Sequence, residues 1–228
     1  VAAPRRIRPA PGRILPVAFY RRDTLVVARD LLGCILARRE VDGSWTGGRI
    51  VETEAYRGED DPACHAAAGL TPRTEVLYGA PGRAYVYFTY GMHHLLNVVT
   101  ERRGFPAAVL IRALNPLAGT ERMASRRGRS TPRELTGGPS RLCQALGIDL
   151  ALNRASFRGP LLTLRSDGRA VERVREGPRV GIRRGTDRPW RFWIDGDPCV
   201  SRPLPPVVGV SPPGPRRVGT LDRGAERS

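Results

Sequence analysis

The order of apolar and polar positions along the chain predicts several short β-strands joined by tight turns. Strand-like runs at 35–39 and 48–55 lie on either side of Asp42-Gly43, a dipeptide typical of a two-residue hairpin turn. Later apolar, β-branched or aromatic runs predict further strands over residues 84–90, 95–100, 107–114 and 192–194. Because the strands outnumber the helices, the pattern favours an antiparallel sheet.

Only two segments carry clear helix signals. Asp23 is a suitable N-cap for a helix that runs through Leu25, Val26 and Leu31. A second helix is predicted over 140–146 after Pro139, with Gly147 as its C-cap. Hairpin-connected strands with few helices predict an α+β fold, a single mixed domain.

The two ends of the chain differ from its middle. Residues 1–15 and 203–228 are rich in proline and arginine and show no periodicity, so we expect flexible basic tails around a domain at 16–202. Within that domain, residues 126–133 predict a basic loop, either solvated or in contact with a DNA backbone. No apolar run approaches a membrane span and no secretory signal is evident, so a cytoplasmic protein is expected.

The composition of the chain indicates what kind of partner it binds. The 228 residues include 38 basic and 22 acidic side chains, and every basic one is arginine, for a net charge of +16. GC-rich codons explain arginine in place of lysine, but they do not explain the excess over acidic residues. That excess favours a polyanion, nucleic acid before membrane. Without lysine, neither a P-loop lysine nor a side-chain Schiff base is available.

Cysteine and histidine give no metal signal. No two cysteines have the spacing of a zinc motif, and Cys64 beside His65 supplies only two adjacent ligands. We therefore predict reduced, partly buried thiols and no metal site.

Three segments carry candidate chemistry. In a strand, Glu52, Glu54 and Tyr56 share one face, where one carboxylate could act as a base. The commoner role for such a pair is a solvated strand face. Tyr85 and Tyr87 also share a face. That face is either a surface on which a base stacks or part of an ordinary aromatic core.

Two further positions in these segments have alternatives. Tyr90 precedes Gly91 at an expected hairpin tip, where an aromatic ring could wedge into stacked bases. Arg112 shares a face with Leu110 in an apolar strand, so it needs a buried partner, either Glu52 or Glu54.

Together these segments resemble the alkyladenine (3-methyladenine) DNA glycosylases. The resemblance covers about residues 31–146 and again 196–201. Its strongest matches are Arg-Ile-Val-Glu-Thr-Glu-Ala-Tyr at 49–56, Tyr-Val-Tyr-Phe-Thr-Tyr-Gly-Met at 85–92, Val-Leu-Ile-Arg-Ala-Leu at 109–114 and Gly-Pro-Ser-Arg-Leu-Cys-Gln-Ala-Leu at 138–146.

The resemblance implies roles at matched positions. Glu54 matches the general base that activates water, Arg112 an arginine that helps hold the water, and Val200 the residue whose carbonyl is a third water ligand. The base pocket would be formed by Tyr56, His65, Tyr87 and Asn97. Whether His65 is a general acid stays open.

The resemblance also implies how DNA is held. A curved antiparallel sheet would carry a protruding β-hairpin that enters DNA, with Tyr90 filling the gap left by a flipped base. Leu77 and Met92 would lie in the minor groove. His93 and His94 depart from members with a tyrosine nearby, and the segment 119–133 is shorter than in some.

The start of the second helix has two interpretations. Gly138, Ser140 and Arg141 could bind a DNA phosphate on free N–H groups, or the segment could be a turn with Ser140 near an N-cap.

The function that follows is a monofunctional DNA N-glycosylase of base excision repair. It would flip 3-methyladenine, and also hypoxanthine or ethenoadenine, from duplex DNA and leave an abasic site without AP-lyase activity. The alternative is a non-catalytic damaged-DNA-binding protein. We expect a nucleoid-associated monomer that needs no cofactor.

Overall fold

The computed structural model describes residues 12–89, 91–201 and the backbone of 209–211. Its ten strands in those ranges are, from β1 to β10, Arg13–Ile14, Ile35–Arg39, Trp45–Arg57, Ala84–Thr89, His93–Val99, Ala107–Ala118, Leu162–Ser166, Val174–Gly177, Arg191–Ile194 and Gly209–Ser211. The α-helices, from α1 to α5, are Val17–Tyr20, Thr24–Asp30, Thr120–Arg127, Pro132–Thr136 and Pro139–Leu146. Three 3₁₀ turns lie at His65–Ala68, Glu75–Tyr78 and Leu150–Leu152.

All described strands form one antiparallel sheet, as the sequence predicts. Its main path runs β1-β7-β2-β3-β6-β5-β4, while β9 joins β3 to β8, and β8 pairs with β10. The 13-residue strand β3 lies at its centre. One edge of β3 pairs with β2 over residues 45–49 and with β9 from Glu52 to Glu54. Its other edge pairs with β6, and the register of that pairing shifts at Glu52. This bulge places Glu52 where three strands meet.

Alternation along the strands separates two faces. Val109 and Ile111 of β6 pack into the main core with α2 and α5, and Val86 of β4 does the same. The intervening residues, among them Tyr85 and Arg112, turn to the other face. The period of two found in the sequence therefore divides a packed side from a side that carries chemistry.

Local signals place the predicted helices and the first hairpin correctly. The Asp23 carboxylate accepts hydrogen bonds from the N–H groups of Leu25 and Val26, which caps α2. Gly147 ends α5 with φ of +63°, a conformation that glycine adopts without steric cost. Gly43, at φ +79°, lies in the turn between β2 and β3.

The basic loop predicted at 126–133 is limited to residues 128–131. Arg126 and Arg127 form the last turn of α3, and α4 begins at Pro132. Arg126 donates to Glu40, and Arg127 donates to the Glu134 carbonyl. These two arginines are held by the fold because a buried carboxylate and helix-end carbonyls need donors.

The folded region extends into both predicted tails. Strand β1 pairs with β7, so the sheet begins at Arg13 rather than after residue 15. Strand β10 pairs with β8 within the segment predicted as a C-terminal tail. The other predicted tail residues, 1–11 and 203–208 with 212–228, lie outside the described residues. Within the described chain, no helix has the length and apolar character needed to cross a membrane.

Candidate active site

A cavity of about 600 Å³ opens on the sheet face that is turned away from the main core. Strands β3 to β6 supply its aromatic and polar walls, and the segments 62–65 and 180–184 border it. This volume lies within the range of small-molecule sites. Its lining includes Tyr56, His65, Tyr85, Tyr87, Asn97, Arg112 and Val180.

Three aromatic rings form one wall of the cavity. The rings of Tyr85 and Tyr87 lie 5.4 Å apart between centroids, and His65 meets Tyr87 edge-on at 4.5 Å. The Tyr85 hydroxyl and His65 Nδ1 are hydrogen-bonded at 2.9 Å. Because each ring is held by another, the wall offers a preformed surface on which a flat heterocycle can stack.

The Glu54 carboxylate is fully buried, and its partners belong to the cavity lining. The Tyr56 hydroxyl donates to Oε2 at 2.8 Å, and the Val180 N–H donates to Oε1 at 2.7 Å. Arg112 Nη1 lies 3.2 Å from Oε2. All three partners line the cavity, so Glu54 is one contact away from a bound molecule.

Glu52 is equally buried and shares Arg112 with Glu54, but its other partners are different. Its Oε1 accepts from Arg112 Nε and Arg191 Nε, each at 2.7 Å, and from Ser201 Oγ at 2.8 Å. Its Oε2 accepts from Ser201 N–H at 2.7 Å. The structure therefore excludes a solvated face for the two carboxylates, and it distinguishes them. Glu52 is saturated by the protein, while Glu54 is held by residues of the cavity.

Arg112 has both candidate partners rather than one. Burial alone would lower its pKa, but Glu54 and then Glu52 outweigh that cost and raise it. Burial, followed by the neighbouring Glu54 charge, raises the pKa of Tyr56 well above its ordinary value. The phenol therefore keeps its proton and donates it in a hydrogen bond to Glu54.

The predicted pocket residues Tyr56, His65, Tyr87 and Asn97 all border this one cavity. Asn97 is buried, and its amide nitrogen donates to the Tyr85 carbonyl at 3.1 Å. That bond orients the side chain and leaves its oxygen free for a ligand.

Of the residues predicted to enter DNA, Met92 lies in the turn between β4 and β5, while Leu77 lies in the 3₁₀ turn Glu75–Tyr78. Met92 is 69% exposed. Leu77 is only 2% exposed and lines the cavity, so a minor-groove contact would require it to move. Tyr90 lies outside the described residues.

The start of α5 borders the cavity through Pro139. Gly138 is the N-cap and Ser140 the second helical residue, without a side-chain cap bond. Arg141 is exposed and makes no ion pair within the described chain. The phosphate contact predicted for Gly138, Ser140 and Arg141 stays a prediction.

Val200 lies on the Glu52 side of the cluster rather than at the cavity. It packs with Val51, Ala113 and Trp193, and the next residue, Ser201, donates its N–H to Glu52. The N–H and C=O of a trans peptide point in opposite directions, so the Val200 carbonyl is directed away from Glu52.

Sequence reasoning missed the segment that covers Glu54. Val180 follows Arg179, whose fully buried guanidinium donates to both oxygens of Asp61 and to the Ala55 carbonyl. Its guanidinium carbon also lies 4.7 Å from the centre of the Tyr56 ring. Nothing near Arg179 in the sequence distinguishes it from the other arginines, because its partner Asp61 lies 118 positions away.

The pKa of His65 is lowered to about 4, first by burial and then by the Arg73 charge. The imidazole is therefore neutral near pH 7 and suited to hydrogen bonding rather than proton donation. As pH falls from 6.5 toward 4, His65 becomes protonated in the unfolded chain but stays neutral in the folded chain. Folding stability should fall by about 2–3 kcal/mol over that window, relative to a His65→Gln variant.

This prediction is checked by unfolding curves at several pH values, with His93→Gln as the control, and by NMR titration of His65. A midpoint near 6.5 would contradict it.

Comparisons with known proteins agree with this geometry. A family profile described as Methylpurine-DNA glycosylase (MPG) matches residues 18–198. Three relatives bear the name "Putative 3-methyladenine DNA glycosylase". The one from Methanocella arvoryzae is 49% identical over 84% of this chain and 98% of its own. The Carboxydothermus hydrogenoformans protein is 48% identical over 83% and 99%, and the Myxococcus xanthus protein 50% over 84% and 95%.

A buried glutamate behind an aromatic cavity on a basic protein defines a site suited to hydrolysis of a base–sugar bond in nucleic acid. The match extends over most of the chain and includes every cavity residue discussed above. The chain belongs to the methylpurine-DNA glycosylase family, a group of DNA-repair hydrolases that act on N-glycosyl bonds.

Proposed function

We propose that this protein is a monofunctional glycosylase that removes N-alkylated purines such as 3-methyladenine from duplex DNA. The observation that carries the proposal is the buried Glu54 carboxylate, held by Tyr56, Arg112 and Val180 at the wall of an aromatic cavity. The names of the relatives support 3-methyladenine as a substrate. Hypoxanthine and ethenoadenine are included as flat purines that the same cavity could stack.

Recognition begins with extrusion of the nucleotide, which costs a few kcal/mol of stacking and pairing energy. Tyr90 is proposed to fill the resulting gap. The aromatic wall then attracts an alkylated purine, because a cationic base interacts favourably with ring faces. Asn97 is proposed to test exocyclic groups on the base edge. The protein would act as a monomer on chromosomal DNA, and its exposed arginines would bind the backbone phosphates.

Chemistry follows at C1′ of the flipped nucleotide. As the base leaves with the bonding electrons, positive charge develops on the sugar, and the nearby Glu54 carboxylate stabilises it. Glu54 also takes a proton from the water that attacks C1′. Arg112 helps to hold that water. The main chain at Val180, rather than at Val200, is proposed as the third contact, because Val180 lies against Glu54 and borders the cavity.

The reaction ends at an abasic site. Strand cleavage by a lyase needs an amine that forms a Schiff base with the sugar. The chain has no lysine, and arginine does not deprotonate at working pH. No side chain can therefore supply that amine, and water is the proposed nucleophile.

Incubation with duplexes that each carry one lesion tests the proposal. The lesions are a stable 3-methyladenine analogue, ethenoadenine or hypoxanthine, and half of each reaction is then heated in alkali. Cleavage only after alkali is the expected result. Cleavage without alkali would show lyase activity. Tight, lesion-specific binding without any base release would favour a damaged-DNA-binding protein instead.

A further inference from the structure

The guanidinium of Arg112 is shared among three acceptors that lie in different directions. Nε donates to Glu52 at 2.7 Å, Nη1 lies 3.2 Å from Glu54, and Nη2 donates to Ser201 Oγ at 3.2 Å. The group is planar, so two fixed contacts determine where its remaining edge points. Glu52 and Ser201 supply those two contacts on the side away from the cavity.

Glu52 is itself held by more than Arg112. Arg191 on β9 donates to its Oε1, and the Ser201 N–H donates to its Oε2. Arg191 also donates from Nη2 to the Ser201 carbonyl at 3.0 Å, and its guanidinium carbon lies 5.2 Å from the centre of the Trp193 ring. The bulge in β3 and the pairing with β9 bring these groups together. Each buried donor and acceptor restricts the others.

Charge balance links this cluster to the reaction. Glu52 and Glu54 carry two negative charges, while Arg112 and Arg191 carry two positive charges. With Glu52 neutralised, Arg112 would have one anionic partner left. The guanidinium would then rotate toward Glu54 and occupy the carboxylate lone pairs that must receive a proton from water.

We infer that Glu52, with Arg191 and Ser201, is a positioning cluster that limits Arg112 to its one 3.2 Å contact with Glu54 and keeps Glu54 available to activate water. Glu52 does not touch the cavity and is not a catalytic residue. The inference rests on the proposed function, since it assigns how that same site is kept ready.

Glu52→Gln is the central variant, because it removes the charge and keeps the side-chain shape. Single-turnover base release per active site, measured on ethenoadenine DNA, should fall about 10- to 100-fold, as misplacement of a reacting group commonly does. Binding of the same DNA should change less than about threefold, since Glu52 contacts none of the three aromatic rings that form the stacking wall. Counting active sites by product amplitude separates slower chemistry from a smaller folded fraction.

Glu40→Gln is the matched control. Glu40 is also a buried glutamate within an arginine cluster, bonded by Arg38, Arg126 and Thr46, but it does not border the cavity. A role confined to folding would lower the melting temperature of both variants and leave both release rates per active site at the wild-type value. That outcome, or equal slowing in both, overturns the inference.

Ser201→Ala provides a second test if Glu52→Gln does not fold. It removes one contact to Glu52 and one to Arg112 while the Ser201 N–H is kept. Release should slow about 3- to 10-fold, because one of several orienting contacts is lost. A wild-type rate in folded Ser201→Ala would overturn the inference. Absence of release by the wild-type protein would instead overturn the proposed function, and the inference with it.

Discussion

Replacement of Glu54 by glutamine is expected to lower base release by about 10³-fold while lesion DNA still binds, because general-base catalysis contributes about 10²–10⁴-fold. The amide keeps the carboxylate shape, and its oxygen can still accept from the Val180 N–H, which donates at 2.7 Å. The uncharged amide can neither take a proton from water nor stabilise positive charge on the sugar. Single-turnover release and DNA binding, measured side by side, distinguish chemistry from recognition.

Glu40→Gln again serves as the control, since it neutralises a buried glutamate that does not border the cavity. Release by Glu54→Gln at a rate near that of the control would show that another group activates water. The alternative assignment to Glu52 would then need a rearranged site, because three of its four donors belong to Arg191 and Ser201, which do not line the cavity.

Replacement of Asp61 by asparagine is expected to destabilise the fold by about 3–5 kcal/mol, the usual cost of removing one member of a buried ion pair. Asp61 and the Arg179 side chain are fully buried, and both carboxylate oxygens accept from Arg179, at 2.6 and 2.8 Å. Without that anion, the guanidinium keeps its desolvation cost but loses its counterion. Chemical denaturation measures the free energy of unfolding.

Asp60→Asn is the control for this loss, because it removes the same charge from the adjacent, exposed position. It should change stability by less than about 0.5 kcal/mol, as surface substitutions usually do. Arg179→Met combined with Asp61→Asn should cost less than the sum of the single changes, since the unpaired charge is gone. A loss below about 1 kcal/mol in Asp61→Asn would mean that Arg179 finds another partner.

Local structure followed the sequence closely where neighbouring residues determine it. The Asp23 cap, the Gly147 helix end and the Asp42-Gly43 turn each depend on contacts within a few positions. Strands β4, β5 and β6 were predictable because alternate side chains face opposite sides of a sheet. Strands β7 and β8 were missed because they are only five and four residues long, too short for the alternation in β7 to stand out.

Arginine content alone did not predict which arginine side chains are paired within the fold. Residues 126–133 were expected to form a basic loop, either solvated or in contact with a DNA backbone, yet Arg126 pairs with buried Glu40 and Arg127 with the end of a helix. Which arginines are neutralised depends on acidic groups far along the chain. Net charge does not show which arginines are paired, because the ion pairs form only when the chain folds.

Sequence order was enough to predict an antiparallel α+β sheet and a face carrying Glu52, Glu54 and Tyr56, because turn residues and a period of two are local properties. The roles within that face required distant chain segments. Val180 and Arg112 approach Glu54, while Arg191 and Ser201 approach Glu52. Two identical carboxylates two positions apart thus acquire different chemistry from long-range packing, since a carboxylate's reactivity depends on which donors surround it.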